Sequence, residues 1–156
     1  MSHIAYIALG SNMGDRRAYL DGAVDALRHV VEICVRRVSS WIETEPVGGA
    51  PDQPRFLNGA AELETTLSAR ALLDCLHAVE ARFGRVRRAP DAPRTLDLDL
   101  LLYDDCVIDE PGLVVPHPRM TQRRFVLVPL AEIAPDARHP VERATMAELL
   151  ARLGNR

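Results

Sequence analysis

The chain is 156 residues long, 47% hydrophobic and 26% charged, a length and balance that suit one well-packed domain over 1–156 and fall short of two. No apolar run is long enough to cross a bilayer, and a formal net charge of -3 argues against a general nucleic-acid surface. All 19 Lys+Arg positions are arginine, so no Walker A lysine exists and any cationic phosphate contact must come from a guanidinium.

The N-terminal residues Met1-Ser2-His3-Ile4-Ala5-Tyr6 lack the pattern of a secretory signal, which makes the cytoplasm the expected compartment. Cys34, Cys75 and Cys106 are odd in number and far apart, so they read as reduced packing residues. Ile4 to Leu9 is a short apolar run ending in Gly10-Ser11-Asn12-Met13-Gly14-Asp15, which reads as a buried strand, a tight turn and a helix start. The turn lacks GxGxxG spacing, so Gly10 and Asn12 are expected to shape it, with Asn12 or Asp15 near the helix cap. Leu20, Ala23, Val24, Leu27, Val30 and Val31 then recur at helical spacing.

Val35, Val38, Trp41, Ile42 and Thr44 suggest a strand from Cys34 to Thr44, although Ser39-Ser40 weakens its alternation. Glu45 to Pro54 is rich in turn formers and is expected to be a mobile, functional loop. Phe56 to Thr65 reads as the second strand of that pair, with Phe56 and Asn58 on one face at its start. Ser68 is a plausible N-cap for a helix carrying Leu72, Leu73, Leu76, Val79 and Phe83 and ending at Gly84, with His77 and Glu80 three apart on it. Arg85 to Arg94 is a proline-broken basic loop that delivers the chain into Arg94-Thr95-Leu96-Asp97-Leu98-Asp99-Leu100-Leu101-Leu102-Tyr103.

That last stretch is the centre of the reading. Side chains alternate along a strand, so Asp97 and Asp99 share one face while Leu96, Leu98 and Leu100 point into a core. Two like charges that close are tolerable on a solvated face or with a divalent cation between them. Three consecutive leucines after the acids suggest that both sheet faces are covered there, which favours the cation. Guanidinium groups in the preceding loop are what a polyphosphate with bound cations would need.

Tyr103 to Ile108 reads as a turn and a return strand extending the sheet, and Val114 to Met120 as a constrained segment. Arg123, Arg124 and Phe125 lead through Pro129 into a short helix at Leu130-Ala131-Glu132-Ile133. Thr145 with Glu148 forms a capping-box pattern before a last helix striped by Met146, Leu149, Leu150 and Leu153. Strand, helix, strand, strand, helix, strand is the ferredoxin-like split βαβ order of an α+β domain, extended here by a C-terminal hairpin and helices. That topology hosts many activities, so the site has to decide among them.

Several blocks are recognisable together: Ala8-Leu9-Gly10-Ser11-Asn12, Asp52-Gln53-Pro54 with Phe56-Leu57-Asn58, Gly84-Arg85-Val86-Arg87, Pro93-Arg94-Thr95-Leu96-Asp97-Leu98-Asp99, and Val115-Pro116-His117. In order and across nearly the whole chain, they resemble the 6-hydroxymethyl-7,8-dihydropterin pyrophosphokinase family of folate synthesis. The resemblance implies transfer of a diphosphate from ATP to the pterin hydroxymethyl group, giving AMP, with two magnesium ions. It makes Asp97 and Asp99 the ligands of both ions and assigns catalytic roles to Arg85 and Arg94. It places His77, Glu80, Arg85, Arg87, Arg94, His117 and Arg123 against ATP. Phe56 and Phe125 would sandwich the pterin, and Asn58 would read its amide edge beside backbone groups near Thr44 and Val47. A monomer acting on ATP and the pterin, with no nucleic-acid or membrane partner, is expected. The basic loop lacks the tryptophan familiar in the family, His77 stands where glutamine is familiar, and Pro118 replaces an aromatic.

Two rivals have features against them. A nucleotidyltransferase also places an acid-x-acid strand on such a sheet, but its Gly-Ser turn shortly precedes the acids, whereas Gly10-Ser11 and Asp97 lie at opposite ends of this core. A non-enzymatic RNA-binding or regulatory module meets an aromatic content of 4% and a negative net charge.

Overall fold

The apolar run at the N-terminus becomes the centre of the sheet. The computed structural model describes residues 2–44, 55–84 and 96–154; the loop expected to be mobile at 45–54 and the basic loop at 85–94, and with them Val47, Arg85, Arg87 and Arg94, lie outside the described residues. β1 (His3–Ser11) is flanked on one side by β4 (Phe56–Thr65) and on the other by β5 (Asp97–Tyr103), both antiparallel to it. β2 (Ile33–Val38) pairs with the far side of β4, giving the order β2-β4-β1-β5 in which split βαβ units interleave.

α1 (Arg16–Arg28) and α2 (Ala69–Arg82) cover one face, packing Leu20, Leu27, Leu72 and Leu76 on Ile7, Leu9, Leu63 and Leu98. α3 (Arg124–Ile133) and α4 (Met146–Gly154) cover the other, where Val126, Leu127, Leu130 and Leu149 meet Ala60, Leu101 and Leu102. The leucine run is thus divided between two cores. Leu100 joins the first and its two successors join the second, because a register shift between Tyr6 and Ile7 leaves one residue of β5 over. Side-chain caps start the helices where expected: Asp15 accepts from the Ala18 N–H, Ser68 accepts from the Ala71 N–H, and Thr145 and Glu148 cap each other reciprocally. Among the described residues no helix is long and apolar enough to cross a membrane.

Three elements differ from expectation. The strand from Cys34 to Thr44 is broken into β2 and β3 (Ile42–Thr44), both paired with β4. Ser39 turns its hydroxyl inward to accept from the Ala60 N–H, and Ser40 gives its N–H and hydroxyl to the Glu132 carboxylate, so side chains displace the regular ladder there. The return strand does not extend the main sheet: β6 (Ile108–Glu110) pairs with β7 (Leu113–Val115) in a separate two-stranded sheet. Asp104, at φ 48, turns the chain away, and its backbone N–H and carboxylate close on the Ile4 backbone. Finally, Pro129 lies inside α3 and does not precede its start. An internal proline costs about 3 kcal/mol, whereas burying each of Val126, Leu127, Leu130 and Ile133 is worth about 1.5–3 kcal/mol, so packing wins.

A charged network fastens the far end of α3. Glu62, 3% exposed, accepts from the Tyr6 hydroxyl at 2.9 Å and pairs with Arg36 at 3.2 Å and Arg37 at 3.3 Å. Two consecutive arginines reach one acid because β2 is bulged between Val35 and Arg37. Arg37 also donates to the Ile133 carbonyl. Burial, and after it the Glu62 carboxylate, pushes the Tyr6 hydroxyl up to about 12.

The loop before α4 folds around His139, which is 6% exposed. Its Nδ1 accepts from the Val141 N–H at 3.2 Å and the Glu142 N–H at 3.0 Å, which fixes Nδ1 as unprotonated because backbone N–H groups only donate. Burial pushes the imidazole below its ordinary range, and nearby Glu142 pulls the other way. A group depressed on folding stabilises above its unfolded value, about 6.5, and loses that contribution as pH falls through the folded value. His139→Asn keeps a side-chain acceptor but cannot titrate. Thermal unfolding of this variant between pH 7 and pH 5 is expected to show a visibly shallower loss of Tm on acidification than the wild type.

Candidate active site

The acid pair stands on an edge strand. Leu96, Leu98 and Leu100 are buried beneath β5, while Asp97 and Asp99 are half-buried on its opposite face, as alternation requires. They form part of the wall of a cavity of about 410 Å³ whose lining includes His77, Leu113, His117 and Arg123. The backbone N–H of His117 donates to the Leu101 carbonyl at 2.9 Å, which ties this segment to the outer edge of β5. Its Nδ1 accepts from the Arg119 N–H at 3.3 Å, which directs Nε2 elsewhere. Burial, then the Arg123 guanidinium, depresses the His117 pKa against the pull of Asp97, which favours neutral imidazole.

The other half of the site lies across β1. Gly10 pairs with Asp97 on one side and Asn58 on the other. Asn58 is 7% exposed and donates through Nδ2 to the Thr44 hydroxyl. A Cβ on Gly10 would stand 2.8 Å from Asn58 Oδ1 and 3.7 Å from the Phe56 ring, so this glycine makes room for the amide. It belongs to β1, not to the turn it was expected to shape. The available sequence signal was a glycine inside an apolar strand, which often marks close approach by another group. Phe56 opens β4, and Phe125 sits in the first turn of α3 with the Arg123 guanidinium 5.5 Å from its ring centroid. Arg16 ties the two flanks of the 45–54 segment, donating to the Arg55 carbonyl at 2.8 Å and pairing with Glu43 at 3.0 Å.

Of the expected ATP-facing residues, His77, His117 and Arg123 line the cavity. Glu80 is placed differently: it is 3% exposed, and its carboxylate accepts from the Leu98 N–H at 2.7 Å. No group of three or more His, Cys, Asp or Glu positioned for a metal occurs among the described residues. Two carboxylates beside an open cavity nevertheless fit a hard divalent cation that takes its other ligands from water and phosphate. They do not fit a closed zinc site, which wants four protein ligands, mostly sulfur or nitrogen.

Residues 6–135 match the family described as 7,8-dihydro-6-hydroxymethylpterin-pyrophosphokinase (HPPK). The chain belongs to this family. The 2-amino-4-hydroxy-6-hydroxymethyldihydropteridine pyrophosphokinase of Bacillus subtilis is 50% identical over 133 residues, covering 85% of this chain and 79% of the relative. The enzyme of the same name from Pseudomonas aeruginosa is 48% identical over 146 residues, covering 94% and 89% respectively. Among solved structures, wild-type Plasmodium falciparum HPPK-DHPS with pterin and p-hydroxybenzoate superposes with a TM-score of 0.76 at 16% identity, over 97% of this chain and 42% of that one. That likeness supports the fold of an HPPK domain within a longer chain.

The Gly10 contact is testable by itself. Gly10→Ala should cost about 1–3 kcal/mol by overpacking and should displace the Asn58 amide from Thr44. A shift of the Asn58 side-chain NH2 resonances together with a lowered Tm is the expected outcome; unchanged resonances would show that the strands yield instead.

Proposed function

We infer that the chain transfers the diphosphate of ATP to the hydroxymethyl group of 6-hydroxymethyl-7,8-dihydropterin, the activity that names its family and its bacterial relatives. The structural observation that supports this most is the aspartate pair facing one cavity with His117 and Arg123. In the reaction the substrate hydroxyl oxygen bonds to the β-phosphorus, the bond between that phosphorus and the α–β bridging oxygen breaks, and AMP leaves.

We assign Asp97 and Asp99 as the carboxylates that would hold two magnesium ions. Bound there, such ions neutralise phosphate charge and favour ionisation of a nearby hydroxyl. Arg123 supplies a fixed positive charge for the phosphates, and neutral His117 presents a nitrogen for hydrogen bonding without adding charge. Arg85, Arg87 and Arg94 are assigned to the same phosphates by family resemblance, with Arg85 and Arg94 acting in catalysis. His77, which lines the same cavity, is assigned to the nucleotide by family resemblance. Phe56 and Phe125 flank the flat pterin, and Asn58, oriented by Thr44, reads its amide edge together with the backbone near Val47. With both substrates held in line, positioning and charge neutralisation supply most of the acceleration.

Incubation with ATP, magnesium and the reduced hydroxymethylpterin should yield AMP and the pterin diphosphate. Release of pyrophosphate would indicate nucleotidyl transfer, and no turnover a binding module. Asp97→Ala and Asp99→Ala should each lower kcat by about 10³-fold or more while keeping the wild-type circular dichroism spectrum. Phe125→Ala should weaken pterin binding roughly tenfold, since a stacked face is worth about 0.5–1.5 kcal/mol beyond burial, and leave ATP binding nearly intact in separate calorimetric titrations.

A further inference from the structure

Glu80 is a buried acid on α2 whose placement suits support of the site better than contact with substrate. It is 3% exposed and does not appear in the cavity lining among the described residues, whereas His77, one turn earlier, does. Its Oε2 lies 2.7 Å from the backbone nitrogen of Leu98, the residue between Asp97 and Asp99. β5 has a main-sheet partner on one side only. In an antiparallel pair, every second residue turns its N–H away from the partner strand, and at an edge those groups need another acceptor. Glu80 provides one at Leu98, while the His117 backbone serves the Leu101 carbonyl farther along the same edge. A hydrogen bond from a backbone amide is directional, so it restrains the strand's rotation about its own axis.

We propose that Glu80 is a positioning residue: by gripping the Leu98 amide it sets the direction in which Asp97 and Asp99 leave the strand, and so tunes their hold on the cations. This rests on the assignment of Asp97 and Asp99 to cation binding. It differs from a nucleotide contact by Glu80 because the carboxylate acts through the backbone of β5.

Two substitutions separate position from charge in the full chain. Glu80→Asp keeps the charge but withdraws it by one methylene, and Glu80→Gln keeps the reach and an acceptor oxygen but removes the charge. Three quantities are read: hydrogen exchange of the Leu98 amide in magnesium-free protein, the magnesium concentration at half-saturation with an α,β-methylene analogue of ATP, and affinity for that analogue in EDTA. Glu80→Asp should speed Leu98 exchange and raise half-saturation, each about tenfold or more. Glu80→Gln should change both less than threefold, and affinity in EDTA should stay within twofold for both variants. The proposal is overturned if neither quantity moves in Glu80→Asp, if exchange and half-saturation fail to move together across the two variants, or if affinity in EDTA falls. A wild-type protein that shows no magnesium saturation would instead overturn the cation assignment itself.

Discussion

The active site depends on the register of β1. This strand is hydrogen-bonded on both sides, and one residue, Gly10, faces Asn58 across one pairing and Asp97 across the other. Asn58 and Asp97, the groups proposed for the pterin and for the cations, are thereby two strands apart on a common face. A slip of one residue in either pairing would turn Asn58 or Asp97 toward the face covered by α1 and α2, so the apolar alternation that builds that core also aligns the two halves of the candidate site.

The acid pair and its surroundings were legible because their signal is local. A period of two placed Asp97 and Asp99 on one face, and the helical stripes and capping residues at Asp15, Ser68 and Thr145 marked helices the structure contains. What remained hidden depends on distant partners. The break at Ser39-Ser40 needs Glu132, more than ninety residues away in sequence. The hairpin leaves the sheet because Asp104 bonds Ile4, and the sequence around Tyr103 carries no trace of that contact. α3 tolerates Pro129 because its apolar stripe finds a second core, which a local rule about proline does not weigh. The resemblance placed Glu80 against the nucleotide; that its carboxylate also accepts from the Leu98 N–H depends on the packing of α2 on β5, which no local pattern carries.

α3 runs from the outer edge of the sheet to the candidate site. Its last turn is fastened by Arg37 on the Ile133 carbonyl and by Glu132 on Ser40, both at the outer edge of the sheet. Its first turn carries Phe125, and Arg123 stands at its N-cap. One helix thus runs from the polar network around Glu62 to Phe125 and Arg123, the residues proposed to meet the substrates.

The β6–β7 hairpin is hydrogen-bonded as its own small sheet, yet Gly112, Leu113 and Val114 line the cavity. It is tethered to α2 through Arg70, which donates to the Pro111 carbonyl and pairs with Glu110. Insertions or deletions at its tip would therefore remodel the cavity wall beside His117 while leaving the pairing of β1 and β5 in phase. A change in that hairpin would alter the shape of the cavity without moving the strand that carries Asp97 and Asp99.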